Sequence, residues 1–145
     1  MRADFYLINQ AQLPACLPTL CRILAKAYSA QQSVFVLTQD VAQTQTLDEL
    51  LWTFRDDSFI PHAVLAPNTE HATPIGISHQ PNLFHQQDIF VNLTTQSLQA
   101  IDLHPLPTRL IKLIPQHDET YKQHARLEYQ QLKQAGYELH RHTLG

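Results

Sequence analysis

Four short runs of continuous apolar, β-branched and aromatic residues alternate with stretches whose apolar residues recur at helical spacing, and this alternation limits the chain to few folds. The runs are Asp4–Ile8, Ser33–Thr38, Asp88–Leu93 and Arg109–Ile114. Each reads as a strand buried on both faces, the pattern of a parallel sheet between helices. Between the first two, Leu13, Leu17, Leu20, Cys21, Leu24 and Tyr28 make a helical stripe whose start lies between Pro14 and Pro18, because proline is tolerated only in a first turn. Asp40 is placed to cap a second helix ending at Phe54. Ala63–Leu65 and Ile75–Ser78 read as brief strands, Ser78–Gln87 as a mobile polar loop, and Tyr137–His142 as an edge strand. The longest helix runs from Asp118 to Ala135 and stops at Gly136, where a left-handed cap is expected. The fold class is therefore α/β: a mostly parallel, doubly wound, Rossmann-like sheet in three layers. With 145 residues, 43% of them hydrophobic, and no repeat or linker, residues 1–145 form one domain.

Such a sheet invites a nucleotide, but the first strand-to-helix turn is Asn9-Gln10-Ala11-Gln12. Without glycine there, backbone N–H groups have no close approach to a phosphate at the helix N-terminus. The chain has three glycines and no GxxxxGK[ST], so no nucleotide site and no cofactor are expected. Asp48-Glu49 and Asp56-Asp57 are chain neighbours that diverge on a helix, and no serine or cysteine lies in a nucleophile motif. Nothing proposes an enzyme. His140 and His142 share a strand face, and His117 and His124 lie two helical turns apart. Neither pair has an evident third ligand, so solvated histidines are expected and no metal. Cys16 and Cys21 diverge by about 140° on a helix and read as small buried thiols. No apolar run approaches the ~20 residues of a membrane span, and no signal segment opens the chain, so a cytoplasmic location is expected. The net charge of −3 argues against a non-specific nucleic-acid binder. Residues 109–145 nevertheless carry 6 Lys/Arg against 4 Asp/Glu, a weak pointer to an acidic partner at that end.

Two stretches stand out. In Leu47–His62, Leu47, Leu50, Leu51 and Phe54 form one helical face, and Trp52, the single tryptophan, falls at its edge beside the loop Phe59-Ile60-Pro61-His62. Either this is the lid of the core, or it is an apolar patch that receives another protein, since aromatic anchors dominate interface energetics. In the long helix, Tyr121, Ala125, Leu132 and Ala135 form an apolar stripe with Tyr129 at its margin, beside a cationic ridge of Lys122, Arg126 and Lys133. A solvated helix face explains the ridge. So does a groove for a peptide that is both acidic and aromatic, with Arg126 as a bidentate carboxylate anchor.

The run Leu47-Asp48-Glu49-Leu50-Leu51-Trp52, followed by Ser58-Phe59-Ile60-Pro61-His62, resembles the chi subunit of bacterial DNA polymerase III. Lys122, Ala125, Arg126, Tyr129 and Ala135–Tyr137 carry the resemblance further, and it extends over the chain in element order. The resemblance implies a replication adaptor without catalysis that links the clamp-loader complex to single-stranded-DNA-binding protein. Trp52, Phe59, Ile60 and Pro61 would meet the psi subunit in a heterodimer. Lys122, Arg126, Tyr129 and Lys133 would hold the acidic, phenylalanine-ended tail of single-stranded-DNA-binding protein, so that DNA is reached only indirectly. Gln130 stands where relatives can carry a further lysine. The alternatives are an adaptor for another partner, such as a DNA repair helicase at the Trp52 surface, and a degenerate nucleotide-binding enzyme.

Overall fold

A computed structural model describes residues 1–55, 59–67, 73–103 and 105–144. The Asp56-Asp57-Ser58 break and part of the 66–88 loop lie outside them. Its strands are β1 Arg2–Ile8, β2 Val34–Leu37, β3 His62–Val64, β4 Ile75–Ser78, β5 Ile89–Asn92, β6 Arg109–Pro115 and β7 Glu138–Leu144. They form a seven-stranded sheet in the order β3-β4-β2-β5-β6-β1-β7, and every paired neighbour runs parallel. The expected Rossmann-like three-layer architecture is present. The tail strand β7 lies at an edge, in register with β1 from Arg2↔Glu138 to Ile8↔Leu144.

The helices form where sequence chemistry places their ends. A 3₁₀ turn at Leu13–Cys16 leads into α1, Leu17–Ser29, with Pro18 in its first turn. The helix α2, Val41–Thr53, is capped by Asp40, whose carboxylate accepts from the Gln43 N–H at 2.8 Å. A single-turn helix, α3 (Leu98–Ile101), has no counterpart among the expected elements. The long helix α4, Glu119–Gln134, is capped by the Asp118 carboxylate on the Tyr121 N–H. At its other end Gly136 has φ +93°, and the N–H groups of Gly136 and Tyr137 donate to Lys133 and Leu132 carbonyls. This double bond pattern closes the last turn only if Gly136 is left-handed. A Cβ there meets nothing within 4 Å, so Gly136→Ala should cost only the backbone strain, about 1–2 kcal/mol. A lowered urea midpoint with unchanged slope is the expected reading.

Two apolar layers flank the sheet. On one face α1 and α2 bury Leu17, Leu20, Leu24, Leu47 and Leu51 against β2, β4, β5 and β6. On the other, Ala125 and Leu132 of α4 join Phe5, Phe35, Phe90 and Leu110. The segment expected as a mobile polar loop contributes to this second layer: Pro81–Leu83 makes a 3₁₀ turn, and Leu83 and Phe84 are buried. Phe84 sits edge-on to Phe90 at 5.2 Å. Polar neighbours masked these two residues in the sequence. Ala135, expected in the buried stripe, is exposed, because α4 ends there and the chain turns away. Cys16 and Cys21 are free and buried, and burial pushes both thiols up to about 11. No helix among the described residues is long and apolar enough to cross a membrane.

Candidate functional site

The end of α2 and the loop after it carry the first surface. Leu47 and Leu51 are fully buried, and this orientation leaves Trp52 54% exposed beside Phe59 at 65%. Their rings lie 5.4 Å apart, and Trp52 also meets the His62 ring at 4.7 Å. His62 anchors the patch from below, with Nδ1 2.7 Å from the Ile60 carbonyl and Nε2 3.2 Å from the Asp48 carboxylate. Ile60 departs from expectation. It is 3% exposed and belongs to the α1/α2 core layer, so its side chain supports the loop and is not part of the open surface. Pro61 is half-buried. Trp52 therefore covers the buried His62 ring with one side, while it and Phe59 stand side by side, each more than half open to solvent.

The second surface is the outer margin of α4. Helical spacing brings Lys122, Arg126 and Lys133 onto one line with Tyr129 beside them. Arg126 and Lys133 are exposed, and neither has an ion-pair partner among the described residues. Lys122 lies 3.5 Å from the Glu119 carboxylate one turn back. Tyr129 is half-buried, and its ring packs edge-on against Phe5 at 5.3 Å, so the aromatic is held beside the cations. Gln130 is exposed. The structure thus brings together the four residues singled out on α4, and it puts them on the sheet face opposite α2.

Two buried charged networks in the sheet have no counterpart among the sequence expectations. Below α4, Lys112 and Glu128 are both buried, with Nζ 3.2 Å from the carboxylate. The same ammonium donates to the Thr94 carbonyl at 2.6 Å and lies over the Tyr121 ring. The Asn92 amide donates to Glu128 at 3.2 Å. At the β1/β7 edge, fully buried Asp4 accepts from Arg2 at 2.9 Å, from Arg109 at 3.4 Å and from His142 at 2.8 Å. His142 is therefore tied into the sheet, contrary to its reading as a solvated histidine, and it stacks on Tyr6 at 4.5 Å. The signal was present: Asp4, Asn92 and Lys112 each interrupt an otherwise apolar strand, and a buried strand carries a charge only where a partner awaits it.

Fold and surfaces define the class first. This is a Rossmann-like α/β protein whose exposed aromatic and cationic groups sit on helix flanks, away from the glycine-free β1–α1 turn where such folds bind phosphate. The family model described as "DNA polymerase III chi subunit, HolC" matches residues 1–140. The chain is 32% identical to the DNA polymerase III subunit chi of Pseudomonas aeruginosa over 143 residues, covering 99% of this chain and 96% of that one. It is 27% identical to the same-named subunit of Escherichia coli over 146 residues, with 97% of both chains covered. The chain belongs to the DNA polymerase III chi subunit family, and its role is that of an accessory protein of replication.

Proposed function

We propose that the protein is a non-catalytic adaptor of the replicative polymerase, with the psi subunit on one side and the acidic tail of single-stranded-DNA-binding protein on the other. The observation that carries this reading is the placement of its two surfaces on opposite faces of the sheet. Psi docks on Trp52, Phe59 and Pro61, with Ile60 as the buried support behind them. An exposed Trp–Phe pair is the kind of anchor that desolvates fully in an interface. The tail lies along Lys122, Arg126, Tyr129 and Lys133, where the guanidinium of Arg126 takes a carboxylate through two hydrogen bonds and Tyr129 lies beside the terminal aromatic ring. Two sites that do not overlap let one molecule hold the clamp loader to coated single strands.

Calorimetric titration with a peptide matching the tail tests the second site. A charge-assisted hydrogen bond contributes about 1.5–3 kcal/mol, so Arg126→Ala should weaken the peptide by roughly 10- to 150-fold. Added salt should weaken the wild type as well. Psi binding should be unchanged by Arg126→Ala and reduced at least about 30-fold by Trp52→Ala, the loss of an anchor contributing about 2 kcal/mol or more. Loss of both partners in either variant would sink the two-surface arrangement.

A further inference from the structure

The crossing from β1 to β2 carries α1 over β5 and β6, while α4, between β6 and β7, lies on the opposite face. On the α1 face β1 and β7 are left without a covering helix. Of β1 only Ile8 is buried in that layer, with Tyr6 at its border, and nothing of β7 joins it. The gap beside α1 is a cleft of about 680 Å³ lined by Arg22, Lys26, Tyr6, Arg109, Gln32 and Asn9, among others, with no Asp or Glu in its wall among the described residues.

Its charge is not cancelled from within. Arg109 and Arg2 are answered by Asp4, and Glu138 lies at the start of β7 in register with Arg2. Arg22 and Lys26 have no carboxylate partner among the described residues; the Arg22 guanidinium donates only to the Thr19 hydroxyl, at 3.2 Å. They stand at i and i+4 on the exposed flank of α1, where like charges repel each other in the free protein. In the same cleft the Tyr6 ring is held flat against His142, the Gln32 amide oxygen accepts from Arg109 at 3.3 Å, and the Asn9 amide oxygen lies 2.6 Å from the His117 ring nitrogen.

We infer that this cleft is a contact site for single-stranded DNA: phosphates bind along Arg22 and Lys26, and a base stacks at Tyr6. Cations that track a backbone beside an aromatic ring are the working parts of sequence-independent single-strand binding. The family's role in replication places such strands within reach. A chain of net charge −3 holds DNA only weakly by this site, so the contact shows itself at low ionic strength. The inference does not depend on the α4 tail site, because a naked oligonucleotide addresses it directly.

The test is a titration of the full chain with an oligothymidylate hexamer, followed by backbone amide NMR shifts at low ionic strength. Shifts should cluster at Tyr6, Arg22, Lys26 and Arg109. Two phosphates neutralised on a single strand give a log–log salt slope of about −1.4, and each of Arg22→Ala and Lys26→Ala should remove about 0.7 of it. Tyr6→Leu should weaken binding while leaving the slope in place. Both cationic variants lie on an exposed helix flank, so their folding is checked simply by unchanged shifts at α4. Shifts confined to Lys122, Arg126 and Lys133 would overturn the inference, as would no shift at all. Shifts in the cleft with an acidic hexapeptide but none with the oligonucleotide would assign it to a protein partner instead.

Discussion

Glu128→Leu is expected to cost about 3–5 kcal/mol, because it leaves the Lys112 ammonium buried without its carboxylate. Lys112 cannot relax into water: it sits on the central part of β6 under α4, and its remaining partners are one carbonyl and the face of Tyr121. The double variant Lys112→Met/Glu128→Leu should recover most of the loss, since a buried ion pair exchanged for apolar groups of similar volume is often neutral or stabilising. Urea denaturation of both single variants and the double gives the coupling directly. A single-variant loss below about 1 kcal/mol would mean that the pair is already hydrated. The network also fixes the roll of α4 through Asn92 and Thr94, so the cycle asks whether the Arg126 margin is held in place by a charge or by packing alone.

Asp4→Asn should cost about 1.5–3 kcal/mol at pH 7, the magnitude of hydrogen bonds to a charged group. Burial by itself would raise the Asp4 pKa, but the hydrogen bonds from Arg2 and His142 and the charges of Arg2 and Arg109 together hold it below its ordinary value of 3.8. A carboxylate depressed in the folded state stabilises fully above its unfolded pKa, and the contribution disappears as pH falls through the lower, folded value. The gap between wild type and Asp4→Asn should therefore be constant from neutrality down to about pH 4.5 and narrow below about pH 3.8. Urea midpoints at three pH values test this. A gap that persists unchanged at about pH 2.5 would show that the variant disturbs packing and not the charge cluster. Because Arg109 also lines the α1 cleft, the variant frees a cation there and should strengthen, not weaken, any oligonucleotide contact.

Strand and helix positions were legible along the chain because both periodicities are local. The runs around Phe5, Phe35, Phe90 and Ile111 have no polar alternation, so a sheet covered on both sides is the only economical place for them. Asp40, Asp118 and Gly136 announce helix ends by their own backbone chemistry. The cationic line on α4 was equally visible, since i, i+4 and i+11 on a helix need no knowledge of what lies beneath.

Strand order, and everything that follows from it, came from contacts between distant residues. Insertion of β5 and β6 between β2 and β1 decides that α1 leaves a face of β1 bare, and no local pattern specifies it. Ile60 reads like its neighbour Phe59, yet one is buried and the other open, because the loop's path over α2 selects which side chain points inward. Leu83 and Phe84 join a layer built from distant strands and α4, where Phe84 meets Phe35 of β2 and Phe90 of β5. Asp4, Lys112 and Glu128 needed distant partners before their burial made sense: Lys112 and Glu128 each other and Thr94, Asp4 His142 at the far end of the chain. Local spacing determined which segments would be strands, helices and caps; only the assembled layers decided which charges are paired, which aromatics face water and where a cleft opens, because electrostatic pairing and desolvation depend on distance in space and not along the chain.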